Sequence, residues 1–450
     1  MDAVLLSRIQ FGLTAGFHFI FPPLTIGMAW LILWIMTRYK NTGDAFYRNM
    51  ARFWIKLFTV SFVVGVATGI TMEFQFGTNW SNYSRYVGDI FGAPLAAEGI
   101  LSFFLESTFL GVLIFGWGRV SRKTLWFASL MVAIGATLSA FWIIVANSWQ
   151  QTPAGYVIRN GRAELTDFWA AVFNPSTVPR YLHVVDGCLM TGAFFVLGVS
   201  AWYLLKRRHI EFAQSSLRLA LVLAFVSSVV QLPIGHYSGQ QVARTQPEKL
   251  AAMEGIFKTQ RRAPSLVFGV PDMKNEVVRA KIAIPGMLSW MAFGDVDAEV
   301  KGLEAFDKDM RPPMPYTFYT FRLMVMLGFG LIALTTLGLF LLWRKTLYGN
   351  RLFLRLALWS IPLPFIANEF GWFSAELGRQ PWAVYHELLT SDAASPTVPA
   401  AQILFSIIMF SLIYSLLFAV WLFLIRREIQ HGPEEEQATG GEAVAREVPA

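Results

Sequence analysis

Apolar residues run along the chain in nine stretches, near 11–36, 55–77, 93–117, 125–149, 183–205, 217–235, 317–343, 355–377 and 402–425. A bilayer core takes about 20 consecutive, mostly apolar residues per helix. The pattern therefore predicts an all-α integral membrane protein with nine transmembrane helices. The first stretch runs through Pro22 and Pro23, contains His18 and shows no small-residue cleavage site, so it reads as a helix and not as a removed signal. The chain divides into helices 1–6 (1–235), one long connection (236–316), helices 7–9 (317–431) and a flexible acidic tail (432–450).

Basic residues alternate between the connections. One set holds Arg38, Lys40, Arg48, Arg52 and Lys56, then Arg119, Arg122 and Lys123, then Lys206, Arg207, Arg208 and Arg218, then Arg344, Lys345, Arg351 and Arg355, and finally Arg426 and Arg427. The opposite short segments hold only Arg8, Arg85, Arg159, Arg162, Arg180 and Arg379. Lys and Arg are retained on the cytoplasmic side, which predicts the N-terminus outside, the C-terminus inside and the long connection outside. The net charge of +7 is thus a topology signal and not a nucleic-acid footprint. Composition agrees: 55% of the 450 residues are hydrophobic and 15% charged, against roughly 25% charged in soluble domains, and mean hydropathy is +0.47. The single cysteine, Cys188, cannot form an intrachain disulfide or the paired thioethers of a c-type haem. Any redox centre is left to His, Met or carboxylates.

A charge at mid-membrane costs about 2.5–3.5 kcal/mol on the insertion scale, so polar residues inside the spans are the informative ones. His18 lies about 12 Å below the outer end of the first span at 1.5 Å per residue; it is either hydrogen-bonded to a neighbouring helix or a haem or metal ligand. Glu98 and Glu106 are eight residues apart on the third span, near one face, and read as a proton relay or as structural acids bonded to Ser102 or Ser107. Glu73, beside the aromatic run MEFQFGTNW, suits an interfacial role. His183 opens the fifth span, and Arg322 and Met324 lie in the first turns of the seventh. Facing each other, His183 and Met324 form the pair that makes a low-spin haem of raised potential, although Met in an apolar helix also serves packing. The run GWFSAELGRQPW brings Glu376 and Arg379 to the end of the eighth span. His18, Glu98, His183, Met324, Glu376 and Arg379 come from five spans yet map to the outer half of the membrane, as one site or a tight cluster of sites requires. A secondary transporter, with Glu98 and Glu106 coupling ion movement to substrate passage, is the rival reading.

Five stretches carry a resemblance: SRIQFGLTAGFHFIFPPLTIGMA around His18, GVATGITMEFQFGTNWSNYSRYVGDIFGAPLAAEGILSFFLESTF around Glu98 and Glu106, LSAFWIIVANSWQ around Ser139, FRLM at Met324, and GWFSAELGRQPW at Glu376. Together they span essentially the whole membrane part, and the chain resembles subunit I of the cytochrome bd-type quinol oxidases.

The resemblance implies that His183 and Met324 are axial ligands of a low-spin haem b, with Arg322 beside it. His18 and Glu376 would hold two high-spin haems, one b-type and one d-type (or a second b-type), with Trp372 and Arg379 from the same run at that site. Glu98 would sit beside that pair, and Glu106, Ser107 and Ser139 would form a proton path from the cytoplasm. Lys249 and Glu254, in PEKLAAMEG, match quinol-binding positions in a short-loop branch of the family. The expected reaction is quinol oxidation coupled to reduction of dioxygen to water, with no copper. The expected setting is a bacterial inner membrane, with a second large subunit, small single-span subunits and lipids as partners.

Overall fold

The computed structural model describes residues 2–434. Its first helix is broken: α1 (Ala3–His18) stops at Phe19, and α2 (Phe21–Thr42) restarts on Pro22 and Pro23, where proline suits a helix start. Gly43, at φ 71°, ends α2, and Asp44 accepts from the amide of Phe46 at 2.8 Å to open α3 (Ala45–Thr78). α4 (Ser81–Ala97) runs through a π-helical turn, Glu98–Phe103, into α5 (Phe104–Phe115). Ser121 caps α6 (Arg122–Gln151). A ribbon of β1 (Tyr156–Arg159) and β2 (Arg162–Leu165) and the short α7 (Phe168–Val172) lead into α8 (Thr177–Lys206).

The sixth expected span is longer than its apolar pattern. α9 (Ile210–Thr245) carries its polar end, with His236 and Gln241, ten residues past the expected boundary. The long connection then folds around α10 (Pro247–Glu254), β3 (Gln260–Arg261), a hairpin of β4 (Ser265–Asp272) and β5 (Val277–Ile284), α11 (Met287–Phe293) and β6 (Glu299–Val300), which pairs with β3. It has its own apolar core, built from Leu250, Ile256, Phe257, Leu266, Leu288 and Val300.

α12 (Met314–Trp343) is followed by α13 (Arg351–Trp359) and α14 (Pro362–Leu377). The eighth expected stretch is thus two helices broken at Ser360 and Ile361, because Pro362 and Pro364 supply no backbone N–H to continue the ladder. Among the described residues, eight helices are long and apolar enough to cross a membrane, and this broken pair occupies the position of the eighth expected span. β7 (Trp382–Val384), β8 (Leu388–Leu389), α15 (Thr390–Ala393) and α16 (Ala400–His431) complete the chain. Four two-stranded antiparallel ribbons modify the all-α expectation: the chain is mainly helical, with β-structure only in its connections. The tail expected over 432–450 lies outside the described residues from 435 onward; Glu434 meets Arg52 at 2.7 Å and Lys56 at 3.3 Å.

α8 is the axis of the bundle and packs on α2, α6, α9, α13 and α14. It crosses α2 at two glycines, and a Cβ on Gly27 would come within 2.7 Å of the Gly192 nitrogen. Small residues let helices approach this closely in a membrane. α16 packs mainly on α1 and α3, takes a hydrogen bond from Tyr203 of α8 on its Ile429 carbonyl at 2.6 Å, and exposes Phe405, Leu412, Leu416 and Phe423, an apolar face with no protein against it among the described residues.

Candidate functional site

The bundle and the long connection enclose a cavity of about 1670 Å³, beyond the 300–1,000 Å³ range of a single small-molecule pocket. His18, Glu98, Glu106, Ser139 and His183 line it from α1, the π turn, α5, α6 and α8. Lys249 and Glu254 of α10, Met324 of α12, and Trp372 and Glu376 of α14 complete the lining, with Arg379 just beyond α14. Ser107 and Arg322 do not line it. Ser107 makes only a 3.5 Å contact to the Phe104 carbonyl, and Arg322 stands behind Glu254, with which it forms a buried ion pair.

His18 ends α1, and its Nδ1 is 3.0 Å from Thr68 Oγ1. The Thr68 hydroxyl also lies 3.0 Å from the Val64 and Gly65 carbonyls. With its proton on either carbonyl, Thr68 accepts from Nδ1–H and Nε2 keeps its lone pair, the state in which imidazole binds a metal. Gly69 keeps the ring's flank open: a Cβ there would lie 3.2 Å from His18 Cε1.

In an α-helix the eight residues from Glu98 to Glu106 turn through about 800°, leaving the two side chains about 80° apart. The π turn at Glu98–Phe103 winds more widely per turn, which reduces that offset, and both acids line the cavity. Ser139 donates to Glu98 at 2.7 Å. Neither Ser102 nor Ser107, the expected structural partners, hydrogen-bonds either acid, and Ser102 Oγ has no partner among the described residues.

His183 and Met324 enter from opposite sides of the sequence. His183 Nδ1 has no hydrogen-bond partner among the described residues, and a Cβ on Gly235 would lie 3.7 Å from its Cε1. Met324 Sδ lies against Gly371 of α14, where a Cβ would come within 2.9 Å. Both donor atoms therefore border glycine, where the wall is thinnest.

Glu376 is held by Arg379 at 2.6 Å, by Asn147 at 3.1 Å and by Gln151 at 3.5 Å. Asn147 also takes Arg180, and Gln150 takes Arg379. Lys249 donates to Gln151 at 2.7 Å and to Gln246 at 3.1 Å. Burial, with Arg180 and Arg379 close by, pulls the Lys249 ammonium well below the usual lysine range, against the opposing pull of Glu376. Three cations thus surround one carboxylate, and Arg180 Nη1 and Arg379 Nε remain without partners among the described residues. Such a wall calls for an anion.

The sequence reading missed Asn147, Gln150, Gln151 and Arg180, whose types are ordinary at helix ends. It also passed over Glu369 and Asp186, which the cost of buried charge would have flagged. Glu369 is one heptad before Glu376 on α14, lines the cavity, and has one oxygen without a partner among the described residues. Asp186 is buried in α8. Among the described residues no three His, Cys, Asp or Glu gather as a metal cage; the donors stand singly along the cavity wall.

Fold and site define a class: a polytopic membrane protein whose single donor side chains, from different helices, surround one large shared cavity. The family model of "Cytochrome bd terminal oxidase subunit I" matches residues 6–433, and the chain belongs to that family. It is 42% identical over 446 residues to "Cytochrome bd ubiquinol oxidase subunit 1" of Bacillus subtilis, covering 97% of this chain and 95% of that one. It is 37% identical over 505 residues to "Cytochrome bd-II ubiquinol oxidase subunit 1" of Escherichia coli, covering 97% and 98%. The solved bd oxidase from Geobacillus thermodenitrificans superposes with a TM-score of 0.90 at 32% identity, over 96% of this chain and 99% of that one.

Proposed function

We propose that this chain is the haem-bearing subunit of a terminal oxidase that oxidises membrane quinol and reduces dioxygen to water. The carrying observation is one cavity that collects His18, His183, Met324, Glu376 and the two acids of the α4–α5 helix, within a family of terminal oxidases. The site fits haem for reasons internal to the chain. Single axial donors suit a macrocycle that brings its own four nitrogens. His18 offers Nε2, glycines flank His18, His183 and Met324, and the unpartnered guanidinium atoms of Arg180 and Arg379 suit carboxylate substituents. Glu376 uses three of about four carboxylate lone-pair sites on Arg379, Asn147 and Gln151, leaving one for iron.

Bound there, the haems supply electron transfer and the binding of dioxygen. The protein supplies position and protons. Arg322, paired with Glu254 and stacked within 5.4 Å of the Phe318 and Phe321 rings, fixes the start of α12 around Met324. Lys249 and Glu254 present α10 to the quinol head. Glu106, then Glu98 with its Ser139 donor, hand protons inward from the cytoplasmic side, and the net movement of charge contributes to the proton gradient. The basic connections orient the chain with its N-terminus and long loop outside, in a bacterial inner membrane. The uncovered faces of α12 and α16 suit a second large subunit and lipid. Which haem each of His18 and Glu376 holds is tested by pyridine haem analysis of purified single variants: loss of one haem from each supports separate sites, and full haem content in both contradicts ligation. Solute uptake by a colourless protein would favour the transporter.

A further inference from the structure

Quinol oxidation frees two protons for every two electrons passed on, and these must leave a site walled by cations. Around Lys249 the cavity presents Arg180 and Arg379, which cannot accept a proton, and Glu376 and Glu254, whose carboxylates are engaged by Arg379 and Arg322. The one acid of the first turn of α10 is Glu248, next in sequence to Lys249, and it is turned away from the cavity. Its side chain is 6% exposed and its Oε1 lies 3.0 Å from Nε2 of His386, whose side chain is 60% exposed. A buried carboxylate behind the site thus bonds directly to an imidazole in water.

The connection is built and not incidental. His386 sits in the left-handed region at φ 59°, a conformation that costs energy for a residue with a Cβ and persists only where the surroundings enforce it. Its ring stacks on Tyr385 at 4.0 Å and meets Trp382 edge-on at 5.4 Å. The Tyr385 amide donates to the Gln150 carbonyl at 2.9 Å, and Gln150 also takes Arg379, so the turn is fixed to the cavity wall. Tyr385 hydrogen-bonds Glu248 as well. The remaining charged and titratable groups facing the pair are Lys249 on α10 and, on the turn itself, Glu387, which is occupied by Tyr156 of β1 at 2.6 Å and Tyr86 of α4 at 3.5 Å.

We propose that Glu248 and His386 are the proton-release pair of the quinol site: each proton leaving quinol crosses the wall at Lys249 to the Glu248 carboxylate behind it, passes to His386 Nε2, and is released by the imidazole to the water on the long-loop side. Each quinol gives up two protons, which pass through the pair one after the other, and two electrons, which would leave singly to the one-electron haem acceptor that the oxidase reading supplies, so charge and atoms balance over the full oxidation. The depressed proton affinity of Lys249 lets it exchange protons with the quinol instead of acting as a permanent cation. This inference rests on the oxidase reading.

The test uses the complete purified oxidase, comparing parent, Glu248→Gln and His386→Ala with quinol and with an artificial donor that reduces haem without releasing protons at the quinol site. His386→Ala is expected to lose about tenfold of the quinol rate, less than the hundredfold or more of direct general acid–base catalysis because water partly substitutes. The artificial-donor rate should hold, and added imidazole should restore quinol turnover. An unchanged quinol rate in both variants would overturn the pair, as would equal loss with both donors and no imidazole rescue. A parent that consumes no oxygen with either donor would instead overturn the oxidase reading.

Discussion

At the scale of single residues, the cavity's donors are held ready by groups that cannot themselves ligate. Thr68 holds the His18 ring through Nδ1, Asn147 and Arg379 orient Glu376, and Ser139 donates to Glu98. Glu106→Gln removes the carboxyl proposed to carry protons while preserving shape; oxygen uptake is expected to fall by one to two orders of magnitude, in the range of lost acid–base function, with haem spectra retained. Unaltered uptake would remove Glu106 from the path. Lys249 gives a pH prediction with a definite sign. Its folded proton affinity lies well below the lysine norm, so between that depressed value and about 10.4 the unfolded chain binds more protons and stability rises with pH. Its share of the slope is at most about 1.4 kcal/mol per pH unit. Thermal unfolding of the detergent-solubilised protein at increasing alkaline pH should show this rise, and Lys249→Met should flatten it.

At the scale of elements, helix breaks and winding defects place the chemistry. α1 ends at His18 because Pro22 and Pro23 restart the chain as α2, and the π turn realigns Glu98 with Glu106. These features explain what was legible in the sequence and what was not. Periodicity and length located the long helices, and buried charge located His18, Glu98, Glu106, His183 and Glu376. The split of 355–377 was written in Pro362 and Pro364 but hidden by continuous hydropathy. The extension of α9 to Thr245 was hidden because its polar end packs on the loop and cavity instead of lipid. Ser139 meeting Glu98 depends on helix rotation, which no linear pattern specifies. The α2–α8 crossing makes its own prediction. Gly27→Val forces a side chain against Gly192 and should cost about 2–3 kcal/mol by overpacking, seen as a lower midpoint of thermal unfolding; an unchanged midpoint would mean the helices can part freely. The β4–β5 tip around Lys274 and Asn275 is exposed, so limited proteolysis there should harm quinol oxidation more than artificial-donor oxidation, and equal harm would detach the loop from the quinol.

At the scale of the whole molecule, the division of labour follows from where polar groups sit. The half of the bundle richest in basic connections is packed by Met28, Ile35, Trp54, Phe58, Phe194 and Tyr203, a continuous apolar core. The half beneath the long loop carries the cavity. On the proposed reading, protons from the basic side would use Glu106 and Glu98 as ionisable stations, and crossing the full membrane field costs about 2.3 kcal/mol per charge per 100 mV. The long loop closes the other end with its own core and inserts α10 into the cavity wall.

The central claim is that iron porphyrin is gripped by side chains of this one cavity. The most direct measurement is the reduced-minus-oxidised visible spectrum, with pyridine haem quantification, of the purified oxidase carrying His183→Ala or Met324→Ala. The account predicts that either variant abolishes the low-spin b-type signal while leaving the high-spin bands. A low-spin signal unchanged in both variants would contradict it.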